Sequence, residues 1–419
     1  MDKVLEDFDF AIANLPGSWE KLNTRVTKWA ALGYASRAAL FEGTFRKYHG
    51  MKDAEKYLTA CAEYGKAFID GAPFSLYNTG ATPYRDLFSS VDAKTQEVVL
   101  CRHYDMQFGV VHGLGNQVTF SRSSLTRRFV NHYLMADGTR FTDKPGWETM
   151  FYTDEVKDRD PRLAQTVLCP GYVQVGASSV TPCEFYSWTG YEPIKHVPAA
   201  ERCVSSSDDT DWILLRAAEV YLNFAEAKAE LGTITQNDLD VSVNKIRARA
   251  KMPSLNLTAA NDSPDPYMIE CYPNVDKGGN RGVILEIRRE RTVELALEEP
   301  ERVWDMFRWA EAKQCLQHFV PWYGVYIPAL GAYDTTGDGK ADVEFVKTSS
   351  GAVKIKVGTK MQDVVLSNGD SGYIVSYSTT DYGYLWDDSR DYLWPIPAKE
   401  RTLNPNLSQN EGYVDGIDS

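Results

Sequence analysis

The sequence predicts a mainly α fold: a scaffold of helical hairpins interrupted by a loop-rich region that contains short strands. Two patterns and one exclusion point to it. Within 1–71 and 206–318, apolar or small side chains recur at helical spacing. Elsewhere Gly, Pro, Thr, Asn and Tyr accumulate and that periodicity fades. No stretch approaches the ~20 consecutive apolar residues needed to span a bilayer, and 43% hydrophobic with 25% charged residues over a chain of 419 suits a large packed core.

The run at 27–48, TKWAALGYASRAALFEGTFRKY, places Ala31, Ala35 and Ala38 at i, i+4 and i+7, one face of a helix. Gly50 punctuates the chain. A second helix at 52–70 carries Tyr57, Cys61, Tyr64 and Phe68 on one stripe, with Leu58, Gly65 and Ile69 beside it. Two helices joined by a short turn, small residues facing large ones, are the hairpin unit of tetratricopeptide-like folds. In 72–205 only short β-like runs appear, EVVL at 97–100 and TVL at 166–168. A loop-rich region of that length is usually functional, so the ligand-facing segment is expected there. Helix returns at Asp211: DWILLRAAEVYLNFAEAKAELG sets Leu214, Ala218, Tyr221 and Ala225 on one face, with Asp211 as N-cap and Gly232 as C-terminal stop. A further helix is expected over 237–250, with Val241, Ile246 and Ala250 apolar, and two more over 282–312, broken near Pro300. The stretch 321–384 reads as strands and turns, and the tail YLWPIPAKERTLNPNLSQNEGY as extended. The divisions are therefore 1–71, 72–205, 206–318 and 319–419, all within one domain.

A net charge of −13 argues against nucleic acid as partner, because such surfaces are basic. The group Arg122, Arg127 and Arg128 offers a local basic patch, with an ordinary solvated face as the favoured reading. Seven cysteines, an odd number without C-x-x-C, form neither a disulfide framework nor a zinc site, and Cys61 is expected to be a buried small hydrophobe. The histidines are scattered, and no H-E-x-x-H, G-x-S-x-G or phosphate-binding loop occurs. Glu290, Glu294, Glu298 and Glu299 alternate with Arg288, Arg289, Arg291, Arg302 and Arg308. Each acid has an arginine within one turn, so i, i+3 and i, i+4 ion pairs account for the pattern without the facing carboxylates of a glycosidase. The segment 334–344 places Asp334, Asp338 and Asp342 at positions 1, 5 and 9 of a calcium-type loop, with glycine at position 6. Position 3 is Thr336 and position 12 is Phe345, so a polar Asp/Gly hairpin between strands explains the segment as well.

Aromatic residues reach 12%, with 24 Tyr and 10 Trp, many in loops beside Gly, Pro and Thr. Flat rings with polar tips suit stacking on sugar C–H faces. Tyr186, Trp188 and Tyr191 cluster just before the helix at Asp211, and Trp147 follows Pro145 and Gly146; these four are the candidate ligand-binding rings. The alternative for each is packing beneath its loop.

Four ordered segments resemble the SusD/RagB family: DFDFAIANLP with RVTKWAALGYASRAALFEGTFRKYH; DGTRFTD with KDRDPRL; DWILLRAAEVYLNFAEAKAELG with VNKIRARAKMP; and RRERTVELALEEPERVWDMFRW with the tail. The closing helices depart from the family pattern at Glu298-Glu299-Pro300-Glu301-Arg302, with one extra residue and no glycine. The resemblance implies a tetratricopeptide-like superhelix on the cell surface at the outer membrane, with no catalysis. It implies a polysaccharide or oligosaccharide ligand, or in some members a peptide, and a SusC-like TonB-dependent transporter as partner. No cofactor is implied beyond a structural calcium, should the Asp334 loop bind one. Members begin with a signal peptide, a lipid-accepting cysteine and further helices, whereas MDKVLEDFDFAIANLP has neither a basic n-region nor an apolar h-region. An N-terminally truncated form is therefore expected, its membrane contact made only through a lipid anchor absent from this chain. The competing readings are a peptide receptor of the same family, a glycoside hydrolase, and a cytoplasmic helical-repeat scaffold.

Overall fold

A computed structural model describes residues 1–19, 23–298, 301–316, 322–376 and 386–417. The expected helix break at Pro300 lies outside the described residues.

Three helices open the chain: α1 (Asp2–Asn14), α2 (Lys28–Tyr48) and α3 (Ala54–Gly71). Thr27 caps α2, its hydroxyl oxygen accepting from the Ala30 amide at 3.3 Å. Gly50 makes the turn at φ +67°, a left-handed conformation that glycine adopts without steric cost. The hairpin closes tightly because Gly43 faces Leu58: a Cβ at Gly43 would lie 2.8 Å from the Leu58 amide nitrogen. Gly65 does the same on the other side of α3, against Phe224 of α4 (Ala217–Glu230). Every residue of α4 except Lys228 is buried, which its alanines permit by letting neighbours approach on all sides. With α5 (Val243–Arg249), α6 (Arg281–Glu294) and α7 (Glu301–Arg308), these helices enclose a core of Leu32, Phe68, Leu222, Ile246, Ile284, Ile287 and Trp309. Among the described residues no helix is long and apolar enough to cross a membrane.

The structure corrects four local expectations. The apolar run after Asp211 begins as strand β2 (Trp212–Arg216), antiparallel to β1 (Val98–Arg102), and the helix starts only at Ala217. Asp211 caps a loop instead: its carboxylate accepts from the amides of Ala93 and Tyr104, each at 3.0 Å. TVL at 166–168 forms one isolated bridge, Val167 with Pro193, because proline has no amide with which to extend the ladder. The helix expected over 237–250 divides into Gln236–Asp240 and Val243–Arg249 at Ser242, whose hydroxyl donates to the Asp238 carbonyl at 2.5 Å. The tail contains a helical turn, Ala398–Leu403.

The strand-rich part contains β3 (Tyr323–Ile327) paired with β8 (Gly372–Val375), and a meander of β4 (Gly331–Tyr333), β5 (Val343–Lys347), β6 (Val353–Val357) and β7 (Lys360–Asp363). Val343, Phe345, Val353 and Ile355 alternate inward. They meet Val130, Tyr133, Tyr152, Phe185 and Tyr191 from the loop-rich region in a second core.

The two cores are joined by buried charge. Glu294, on α6 and 0% exposed, accepts from Arg216 of β2 at 2.7 Å, from Arg162 of the middle segment at 3.1 Å, and from Arg249 of α5. Arg162 also reaches Glu290 at 3.0 Å, and Arg216 reaches Glu97 at 2.8 Å and Glu298 at 2.7 Å. The acidic helix is thus structural, as its arginine spacing suggests, but the partners of Glu290 and Glu294 come from distant segments rather than from one turn away. Burial raises the Glu290 and Glu294 carboxyls, and the surrounding guanidinium groups outweigh it, holding both below the usual carboxylate range.

Glu294→Ala would leave three guanidinium groups buried without their shared acceptor. Urea unfolding is expected to show a loss of about 3–5 kcal/mol. Because these carboxyls titrate lower in the folded than in the unfolded chain, their contribution is complete at neutral pH and is lost as pH falls. Thermal melting should therefore drop steeply below about pH 4.5, the range in which unfolded carboxylates protonate.

Candidate functional site

A cleft of about 510 Å³ opens where the helical half meets the loop-rich half. One wall is the short helix Arg127–Val130, capped by Thr126, whose hydroxyl oxygen accepts from the Phe129 amide at 3.2 Å. Asn131 and His132 follow directly and also face the cleft. The opposite wall comes from Tyr267 on the helix Pro266–Cys271, Thr292 on α6 and Arg302 on α7. Trp322, Tyr323 of β3 and Tyr373 of β8 close one side, and Trp147 stands at another.

The rings are held edge to face or stacked. Trp147 and Tyr267 meet at 6.1 Å and 80°, and Tyr323 stacks on Tyr373 at 4.6 Å and 27°. Arg127 braces the floor: it donates to the Trp147 carbonyl at 2.7 Å and lies 5.2 Å from the Tyr373 ring centre. Trp322 remains 42% exposed.

Two buried polar atoms in this wall have no hydrogen-bond partner: the Asn131 side-chain oxygen and the Arg127 Nε–H. Both residues are at least 95% buried, so each orphan costs free energy. Burial first, and then Arg302, Arg289 and Arg128, push the His132 imidazole well below its ordinary range, so it is neutral at physiological pH. Flat rings on several sides with a few fixed polar groups can bind a ring-shaped, hydroxyl-rich molecule. A groove of equal volume beside α1 and α2 differs in kind: Arg291 and Arg308 are both paired with Asp305, Arg291 also donates to Asn223, and Arg37 is paired with Glu219.

Of the four rings nominated from sequence, Trp147 lies in the cleft. Tyr186 and Trp188 form a separate, half-exposed platform with Arg122, whose guanidinium sits 3.9 Å above the Trp188 ring. Tyr191 is not a ligand ring. It is fully buried, its hydroxyl 2.8 Å from the Glu155 carboxylate and 3.2 Å from Arg127, and it supports the cleft floor from behind. Asn131, Tyr267 and Tyr373 were missed because each reaches the cleft from a different part of the chain. The only local signal was a Thr-capped, arginine-rich helical turn ending at Asn131.

The segment containing Asp334, Asp338 and Asp342 is a hairpin joining β4 and β5, its carboxylates engaged by the hairpin's own backbone. Asp334 accepts from the amides of Gly337 at 2.6 Å and Gly339 at 2.7 Å, Asp342 from those of Thr335 at 2.7 Å and Thr336 at 2.9 Å, and Asp338 from Lys340 at 2.9 Å. Asp334 and Asp342 also share one donor, the Thr336 amide, at 3.1 and 2.9 Å, so the hairpin is closed by side chain to backbone bonds. Among the described residues no cluster of His, Cys, Asp or Glu is arranged to hold a metal. The cysteines with described side chains are free and buried, Cys61 among them.

A sequence model of the SusD family matches residues 87–413. No curated protein sequence matches the chain. Among solved structures, the chain is similar to a SusD-like protein from Bacteroides fragilis, with 21% identity, TM-score 0.61, and 98% of this chain and 70% of that one covered. It is likewise similar to a SusD-like carbohydrate-binding protein from the same organism, with 21% identity, TM-score 0.61, and 96% and 70% covered. A third structure, solved with a xylogluco-oligosaccharide, matches at 16% identity and TM-score 0.55, with 96% and 70% covered.

The different placements of Tyr191 and Trp188 predict different responses to substitution. Tyr191→Phe removes the hydroxyl donor to a buried carboxylate and is expected to cost about 1–3 kcal/mol in urea unfolding. Trp188→Ala, on the surface, is expected to change stability by no more than about 0.5 kcal/mol.

Proposed function

The chain belongs to the SusD family, and we propose that it captures glycan at the surface of the outer membrane and passes it, uncleaved, to a TonB-dependent transporter. The observation that carries this reading is the cleft itself: Trp147, Tyr267, Trp322, Tyr323 and Tyr373 line it together with Asn131 and Arg127, each of which holds one unpaired polar atom. Sugars offer apolar C–H faces for the rings and hydroxyls that both donate and accept, which answers each orphan in turn. Two of the similar structures bear on the ligand class, one described as carbohydrate-binding and one holding a xylogluco-oligosaccharide.

The placement of the acids supports a non-catalytic role. A glycosidase needs two carboxyl groups across the scissile bond. Glu270 is the one carboxylate among the described residues lining the cleft, and Glu290 and Glu294 are locked in arginine pairs. The binding energy lies in ring stacking and a few hydrogen bonds at an open site, which makes the affinity modest.

Affinity electrophoresis in gels containing plant, host and microbial polysaccharides tests the proposal. Retardation by a polymer without release of reducing sugar is expected. Trp147→Ala and Trp322→Ala should each weaken it roughly tenfold or more, the cost of removing a central aromatic contact. Retardation by none of the polymers would favour a peptide ligand, and sugar release would overturn the non-catalytic assignment.

A further inference from the structure

The basic cluster Arg122, Arg127 and Arg128, which the sequence suggests is an ordinary solvated face, does not sit on one. The structure brings it to the aromatic cleft and the neighbouring platform. We infer that this face selects an anionic glycan, one carrying carboxylates or sulfate esters along its chain. The inference rests on the glycan-binding reading and adds the charge of the ligand to it.

Arg122 is the first support. Its backbone is left-handed, at φ +59°, and its Nε donates to the Tyr186 carbonyl at 2.9 Å. That bond lays the guanidinium over Trp188 at 3.9 Å, with the Tyr186 ring centre at 5.2 Å. Among the described residues no carboxylate pairs with it. A guanidinium stacked on an indole keeps its in-plane N–H donors, the geometry that meets a carboxylate or sulfate in bidentate fashion.

The platform is separate from the cleft but tied to its walls through the residue that follows Trp188. Thr189, the residue after Trp188, donates through its hydroxyl to the Leu125 carbonyl at 2.5 Å, and its own carbonyl accepts from the Val325 amide at 2.8 Å. Gly324 has no side chain because a Cβ there would collide with that same carbonyl. Leu125 and Tyr323 both line the cleft, so Trp188 adjoins the point where two cleft walls meet.

Inside the cleft the charges lean the same way, with Arg127, Arg128 and Arg302 against one carboxylate among the described residues that line it. Arg127 is paired with Glu155 at 3.2 Å. Arg128 donates to the carbonyls of Gln314 at 2.8 Å and Cys271 at 3.0 Å, and Arg302 to the hydroxyls of Thr292 at 3.0 Å and Tyr272 at 2.7 Å. Glu270 stands opposite at the exposed rim. The depressed titration of buried His132, to which Arg302, Arg289 and Arg128 contribute after burial, reflects the same positive field. The whole chain carries −13 and repels polyanions elsewhere, so their attraction here is local.

Two matched pairs of polymers test the inference: polygalacturonate against its methyl ester, and dextran sulfate against dextran. Affinity electrophoresis is run with the full chain and with Arg122→Gln, alongside the neutral polysaccharide panel. The expected result is retardation by the charged member of at least one pair and roughly tenfold weaker retardation by its neutral partner. Binding should weaken with added sodium chloride, and Arg122→Gln should lower the charged-over-neutral ratio. The pair that responds tells carboxylate from sulfate. Equal retardation by both members, insensitivity to salt, or binding confined to the neutral panel would overturn the anionic assignment and leave glycan binding standing. Silence from every polymer would overturn both.

Discussion

Glu294 is the constraint on which the rest of the structure depends. Its carboxylate receives guanidinium groups from three segments that are remote in sequence: Arg162 from the loop-rich region, Arg216 from β2 and Arg249 from α5. None of these charges reaches solvent. A buried ion pair is weak evidence of net stability, since desolvation opposes the Coulombic gain, but once formed it tolerates few alternatives because a displaced charge has no other partner. The network therefore fixes how the loop-rich half docks on the helices more narrowly than apolar packing alone would.

The cleft inherits that registration. Thr292 and Arg302 lie just before and after Glu294 along the chain, and the helix Arg127–Val130 packs against the same second core as Tyr191 and Val325. Glu155 and Tyr191 support Arg127 from behind, and Arg127 in turn supports Trp147 and Tyr373. The aromatic walls are thus positioned by buried polar bonds and need little rearrangement to receive a ligand, which lowers the ordering cost of binding at a shallow site.

Much of the scaffold was legible in the chain. The i, i+4, i+7 alanines of α2, the stripe through Tyr57 and Phe68 and the stop at Gly232 each report one helix at a time, and local periodicity is enough for that. The start of α4 was not legible, because Trp-Ile-Leu-Leu satisfies helical and strand spacing alike and only the pairing with Val98–Arg102 decides between them. The partners of Glu290 and Glu294 were hidden for the same reason: arginines one turn away looked sufficient, and the tertiary arginines carry no local mark. At the site, Trp147 could be nominated from composition, whereas Tyr191 could not be told from a ligand ring without knowing that Glu155 lies behind it. Asn131 carries the most specific chemical feature of the cleft, an unpaired buried oxygen, and sequence alone does not show which polar atoms go unpaired.

The central claim is that this cleft, with its orphaned polar pair, is the ligand site. The most direct measurement is a crystal structure of the chain soaked with an oligosaccharide cut from whichever polymer retards it. Sugar faces are expected against Trp322 and Trp147, with a hydroxyl within hydrogen-bonding distance of the Asn131 side-chain oxygen. A sugar bound elsewhere, with the cleft free of it, would rule the cleft out as the ligand site.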